Sequence, residues 1–204
     1  MLLGGGGHAL VVAEAAAGAG WEIRGFYDDD AGAVLAAKGG RKHRGMIRDF
    51  ESGLSKGDLV ILAVGGIQAR ARILDAHRGV QGAGTVVAAG AWLAPSARLG
   101  AGVFVGVGAV VQSCATVADH AIINTSAVVE HECVIGRNTH VAPGAVLGGR
   151  VVVGENTLVG IGSRVLPSVR IGGGCTIGGG AVVTRDVADG MTVAGVPARP
   201  TIKR

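Results

Sequence analysis

From Val87 to Ala188 the chain repeats every six residues without losing phase. The stretch divides into 17 hexads, from VAAGAW, LAPSAR and LGAGVF, through INTSAV, VEHECV and IGRNTH, to IGGGAV and VTRDVA. Every hexad opens with Val, Leu or Ile, and its fifth position holds Ala, Val, Ser, Thr or Cys. A short period held over 102 residues means a solenoid in which each unit packs on its neighbours. One aliphatic side chain per hexad points inward, so stacked coils build a continuous apolar column. The small fifth residue fits beside it, and the glycine-rich remainder permits tight turns between short, flat strands. A helical reading fails, because glycine occurs throughout and no face recurs at 3.6 residues. The pattern predicts a left-handed parallel β-helix with three hexads per coil, hence between five and six coils.

Composition fits such a core. Hydrophobic residues make up 49% of the chain and aromatic ones only 3%, so the interior is aliphatic, and the 38 glycines read as turn residues rather than disorder. The net charge of +4 comes without a run of Lys or Arg, so it argues for nucleic acid no better than for a site binding phosphorylated or CoA-like anions. Cys114, Cys133 and Cys175 form neither a disulfide framework nor a CxxC pair; Cys133 and Cys175 take the small fifth position, which predicts a packing role. The start carries no basic leader or cleavage site, and Glu14 interrupts the best apolar run, so a soluble cytoplasmic protein is expected.

The first 84 residues obey a different rule, and the sequence predicts two domains, 1–84 and 85–204. Leu2-Leu3 leads into four glycines, a helix is expected over Leu10–Ala19 with Gly20 closing it, and a strand over Glu22–Tyr27. A short helix over Ala31–Lys38, a buried strand over Leu59–Val64 and a helix over Gln68–His77 complete the pattern. Strands alternating with helices mean βαβ units on a parallel sheet, a small α/β Rossmann-like domain. Its first strand is short, as if a few residues were missing upstream. Gly4, Gly6 and Ala9 fit G-x-G-x-x-A, and Asp28-Asp29-Asp30 follow Gly6 by 22 to 24 residues. Such glycines let a phosphate approach amides at a helix N-terminus while a carboxylate meets a ribose or base. The length suits one nucleotide rather than a dinucleotide, and a plain tight βα turn explains the glycines equally well. Residues 79–84 (GVQGAG) are the expected hinge, and the prolines near the end mark where the repeat stops.

Within the hexads stand three histidines, His120, His131 and His140, separated by 11 and 9 residues. That spacing does not supply a three-histidine zinc site, and no metal is expected. His131 lies between Glu130 and Glu132 at the third, outward-facing turn position of its hexad. An imidazole beside a carboxylate is a natural general base. One coil further on lies Gly149, whose amide is free of any side chain and could face a thioester carbonyl. A solvated turn of mixed charge is the competing explanation.

The block Asn124-Thr125-Ser126 to Glu130-His131-Glu132-Cys133-Val134-Ile135-Gly136, with His140, Gly148-Gly149 and Gly195-Val196-Pro197-Ala198, closely resembles the hexapeptide class of sugar O-/N-acyltransferases. Within it, the chain is most similar to the UDP-4-amino-sugar N-acetyltransferases of the bacillosamine pathway. The N-terminal GGGGHA and Phe26-Tyr27-Asp28-Asp29-Asp30 extend the resemblance over nearly the whole chain. It implies acetyl transfer from acetyl-CoA to the 4-amino group of a nucleotide-linked deoxy sugar, within glycan biosynthesis. It casts His131 as the base, Glu132 as the carboxylate orienting it, and Asn124 beside the amino group. His140 and Gly149 would contact the acetyl donor, and Gly6, Gly7, His8, Asp28 and Asp29 would line the pocket for the nucleotide, UDP first. It also implies a homotrimer whose sites are shared between subunits, with no membrane or nucleic-acid partner. Two departures, Gly65-Gly66-Ile67 after the third strand and Ala88-Ala89-Gly90-Ala91 where the prism begins, bear on the sugar and the nucleotide. O-acetylation of a sialic-acid-like hydroxyl and a non-catalytic trimeric nucleotide-sugar scaffold remain the alternatives.

Overall fold

The computed structural model describes residues 1–77 and 83–201. It opens with a three-stranded parallel sheet of β1 (Leu2–Leu3), β2 (Phe26–Tyr27) and β3 (Ile61–Leu62), ordered β2-β1-β3. Around it lie α1 (Gly7–Gly18), α2 (Val34–Ala37), a 3-10 helix (Ile47–Gly53) and α3 (Ile67–Ala76). The α/β alternation is as expected, but several bounds shift. α1 begins at Gly7 rather than Leu10, so the glycine run supplies its first turn. It ends in a Schellman turn, with Gly20 at φ +84°, Trp21 N–H donating to Ala16 C=O and Gly20 N–H to Ala17 C=O. The strand expected over Glu22–Tyr27 shrinks to two residues. Gly25, at φ +145°, breaks it, and β1 offers only two residues to pair with. The helix expected from Ala31 starts at Val34, because Asp30 first makes a turn that accepts the Gly32 and Ala33 amides. The strand expected over Leu59–Val64 pairs only at Ile61–Leu62, and α3 lies within one residue of its expected span. The 3-10 helix has no counterpart in the sequence reading. Of the expected hinge, residues 79–82 lie outside the described residues, while Ala83 bridges to Val60.

From Val86 onward the chain is a β-solenoid of about six turns, the hexapeptide β-helix that the period requires. Each strand is two residues long, formed by the sixth residue of one hexad and the first of the next. Three parallel faces result. The first holds Phe104–Val105, Ile122–Ile123 and His140–Val141; the second Val110–Val111, Val128–Val129 and Val146–Leu147; the third Thr116–Val117, Val134–Ile135 and Val152–Val153. Between Val86 and Val183 every register step is 18 residues, which stacks equivalent side chains coil upon coil, and only the last steps, Thr176 to Thr192 and Ile171 to Val187, shorten to 16. Val105, Val111, Val117, Ile123, Val129 and Ile135 form the buried column, with Ala109, Ala115 and Cys133 beside it. Three position-five side chains donate to the carbonyl 15 residues on, Thr139 to Gly154, Thr157 to Gly172 and the Cys133 thiol to Gly148, whereas Ser163 donates back to Gly160 and Cys175 to Ala188.

Position four of the hexads turns the corner in the left-handed region. Eight non-glycine residues, Glu132 and Asn138 among them, stand there at φ +55° to +65°, and glycines fill most of the others. After the last hexad, Thr192–Ala194 adds one more strand to the first face, and Arg199–Pro200 folds back antiparallel on it. The N-terminal domain covers that same face. Phe104 and Ile122 share one core with Leu2, Ala9, Val12, Phe26 and Ile61. Among the described residues no helix is long and apolar enough to cross a membrane.

Candidate active site

The expected site residues fall into three groups. The first is at the corner between the second and third faces. There the Nδ1 of His131 lies 3.0 Å from Oε2 of Glu132, and the His131 amide donates to Glu130 Oε2 at 3.3 Å. Both side chains of the His131–Glu132 pair are about half exposed, 49% and 56%. A half-exposed contact of this kind contributes little to stability, so packing does not account for it. The next coil is tied on directly, because the Arg150 amide donates to the His131 carbonyl at 2.9 Å. Gly149 is therefore stacked on His131. A Cβ built on Gly149 would collide with the imidazole at Nε2, Cε1 and Cδ2. The Gly149 amide donates to no acceptor among the described residues.

A second group sits on the seam between the domains. His140 Nε2 lies 3.0 Å from the Asn124 side-chain nitrogen, and His140 Nδ1 lies 3.3 Å from the Gly65 carbonyl oxygen. The Asn124 oxygen accepts the Thr125 amide at 2.8 Å. The His8 ring packs edge-on against Phe104 at 5.4 Å and lies 6.3 Å from His140. Burial pushes both imidazoles down to about 4, with His140 and Arg70 adding to the effect on His8, and Arg70 to that on His140. His8 thus lies beside the His140–Asn124 group.

The third group is the glycine turn. Asp28 Oδ2 accepts the Gly5 amide at 2.6 Å, its other oxygen accepts the Asp30 amide at 2.9 Å, and Asp29 Oδ1 accepts the Ile47 amide at 3.1 Å. The four glycines divide their work. Gly4 needs its φ of +107° and its contact with Ala63, and Gly5 has Phe26 and Ala33 where a Cβ would go. Gly6 and Gly7, at the start of α1, face open space. Those are the amides a phosphate could approach.

Cys133 and Cys175 are buried, and burial raises both thiols, so neither is an activated nucleophile. No cluster of three His, Cys, Asp or Glu side chains suited to a metal occurs among the described residues. The sequence reading missed Arg70. It is fully buried on α3, and its Nε–H donates to Asn138 Oδ1 at 2.7 Å. In the sequence, Arg70 reads as one more surface arginine of a polar helix, although it falls on the inward stripe of Ile67, Ile73 and Leu74.

Residues 1–76 match the family model of the PglD N-terminal domain, and residues 150–185 match the bacterial transferase hexapeptide (six repeats). No curated protein sequence matches the chain significantly. Among solved structures, the chain is similar to the acetyltransferase domain of PglB from Neisseria gonorrhoeae FA1090 in complex with acetyl coenzyme A, at 35% identity over 98% of this chain and 97% of that one, with a TM-score of 0.90. It is also similar to PerB from Caulobacter crescentus in complex with CoA and GDP-perosamine, at 35% identity over 98% and 95% of the two chains, with a TM-score of 0.88. A variant of the perosamine N-acetyltransferase from Caulobacter crescentus, with the same two ligands, matches at 34% identity over 99% and 96%, TM-score 0.89. With a third of its residues shared over its whole length, the chain belongs to the family of acetyl-CoA-dependent hexapeptide sugar N-acetyltransferases.

Proposed function

We propose that this enzyme moves acetyl from acetyl-CoA to the 4-amino group of a nucleotide-activated amino-deoxy sugar, UDP-linked in the first instance, with His131 as general base. The observation that carries the reading is the half-exposed His131–Glu132 contact of 3.0 Å stacked on a side-chain-free amide at Gly149. Glu132 holds Nδ1 and leaves Nε2 facing the stacked glycine, where an acceptor amine would approach. As the amine attacks the thioester carbonyl, Nε2 takes its proton, and the Gly149 amide donates to the oxyanion of the tetrahedral intermediate. Collapse of that intermediate expels the CoA thiolate, and no acyl-enzyme is required.

In this reading residues 1–84 hold the nucleotide through Gly6, Gly7, His8, Asp28 and Asp29, and residues 85–204 carry the transfer. The acetyl-CoA and GDP-perosamine complexes of the two neighbours support the choice of donor and of a nucleotide-linked amine. Asn124 and His131 occupy different corners of the prism, seven residues apart in sequence and separated by one side of about 20 Å. They can serve one reacting centre only if a second copy brings its His131 corner against the Asn124–His140 seam. A homotrimer does this. Val107 and Ile161 are exposed on the Asn124 corner and Leu166 on the His131 corner, as such contacts need.

The test is thiol release from acetyl-CoA against UDP- and GDP-linked amino sugars, their hydroxyl analogues, and the His131→Ala variant. Release with one 4-amino sugar, lost in the variant, supports the reading. Release with hydroxyl analogues alone would make the enzyme an O-acetyltransferase.

A further inference from the structure

Arg70 is a buried cation without a counter-ion. It is 0% exposed, and among the described residues no Asp or Glu forms an ion pair with it. Its partners are neutral: Nε–H donates to Asn138 Oδ1 at 2.7 Å and Nη2 to the His120 carbonyl at 3.0 Å, while Nη1 is buried without a partner. Burial pushes the guanidinium down only to about 10, so it keeps its charge at neutral pH. Removing a charge from water without pairing it is costly, and an apolar side chain of similar size would serve stability as well or better. The retention of Arg70 therefore asks for a role other than stability.

The geometry supplies one. Asn138 stands at a prism corner with φ +55° and grips the first turn of α3 twice, accepting from Arg70 and donating to the Ile67 carbonyl at 3.3 Å. Its amide nitrogen also donates to Asn156 Oδ1 at 2.8 Å, which anchors the grip one coil further on. Two residues before Ile67 is Gly65, whose carbonyl meets His140. A carbonyl only accepts, so this contact requires the proton on Nδ1 of His140. Nε2 is then a bare acceptor, which takes the Asn124 N–H. The Thr125 amide fixes the other end of the Asn124 side chain. A single tautomer of His140 satisfies all of these contacts.

We propose that Arg70 is a positioning residue of the transfer site: by clamping α3 to the Asn138 corner it holds the Gly65 carbonyl against His140, fixes the Nδ1–H tautomer and so aims the Asn124 amide. The groups facing His140 are His8 from α1, Arg70 from α3, and Asn124 on the prism, and among the described residues none bonded to it is acidic. Burial in the seam, and after it the neighbouring Arg70 cation, keep the imidazole neutral, as the tautomer requires. The proposal takes its meaning from the transferase reading above, but its structural arm needs no substrate.

The test is Arg70→Met on the full chain, with Arg70→Lys beside it. Nitrogen chemical shifts of the His140 ring report the tautomer, assigned with a His140→Gln control. In the wild type a single Nδ1–H form is expected. In Arg70→Met the shifts should move to a mixture, the melting temperature should hold or rise, and kcat/KM should fall about tenfold or more. If the Met variant does not fold, Arg70→Lys carries the same test, since an ammonium lacks the planar fork that reaches Asn138 and His120 together. A mixed tautomer with reduced kcat/KM in the folded Lys protein supports the clamp. An unchanged tautomer in a folded variant overturns it, as does activity lost only in proportion to folded protein. Wild-type silence toward every acceptor sugar would instead count against the transferase reading, leaving the tautomer result standing.

Discussion

The imidazole of His131 occupies the space over Gly149 that a Cβ would fill, one coil further along the prism. The requirement for glycine at position 149 is steric rather than conformational, since its φ lies outside the left-handed region. Gly149→Ala should leave the coil intact and push the ring off its place. We expect kcat to fall about ten- to a hundredfold with an unchanged thermal midpoint, read by parallel kinetics and melting. An Ala variant as active as wild type would mean that the stacking is incidental.

His131→Ala removes the proposed base while leaving an exposed corner otherwise undisturbed. A loss of about a hundred- to ten-thousandfold in kcat is expected, with the calorimetric Kd for acetyl-CoA nearly constant. Loss of both together would make His131 a residue that shapes the donor groove.

Acid should destabilise the fold through the seam. His8 and His140 are held neutral down to about 4, whereas in the unfolded chain they titrate near 6.5. Above pH 6.5 both states are neutral and the two groups add no pH dependence. As pH falls from 6.5 toward 4 the unfolded chain binds protons that the folded one refuses, so stability declines through that window. Urea unfolding at pH 7, 5.5 and 4.5 should show falling midpoints, and His140→Gln should flatten part of the slope. A flat profile between 6.5 and 5 would show that the seam takes up protons freely.

Cys114 holds a left-handed corner at φ +60° with an exposed thiol. Glycine adopts that conformation without the Cβ clash, so Cys114→Gly should raise stability by about 1 kcal/mol. Denaturant midpoints decide it. A decrease would mean that the Cys114 side chain makes contacts worth more than the relief of the corner.

The solenoid was legible because a period of six is a strong constraint. His131 and Glu132 stood out because they break an apolar and small pattern, and their facing geometry follows from their place at positions three and four. Gly149 followed from the 18-residue register alone. The N-terminal domain was legible in its alternation but not in its bounds, because strands of two residues carry almost no periodic signal and the Asp30 turn delays α2. Arg70 was illegible. The helical period places Arg70, unlike Arg72, on the stripe of Ile67 and Leu74, but a charged side chain there reads as exposed until its partner Asn138, 68 residues away, is known.

The two-residue strands have a further consequence. Substitutions at a corner leave the backbone path alone, so the chemistry of each turn can change independently of its neighbours. A change in length cannot be absorbed the same way. One residue inserted within a strand would advance every later hexad by a step, turn the aliphatic column outward, and slide residue 149 from beneath His131. The prism is permissive about what it carries and strict about its count, so viable insertions belong at the corners, as loops that leave the pacing of the strands untouched.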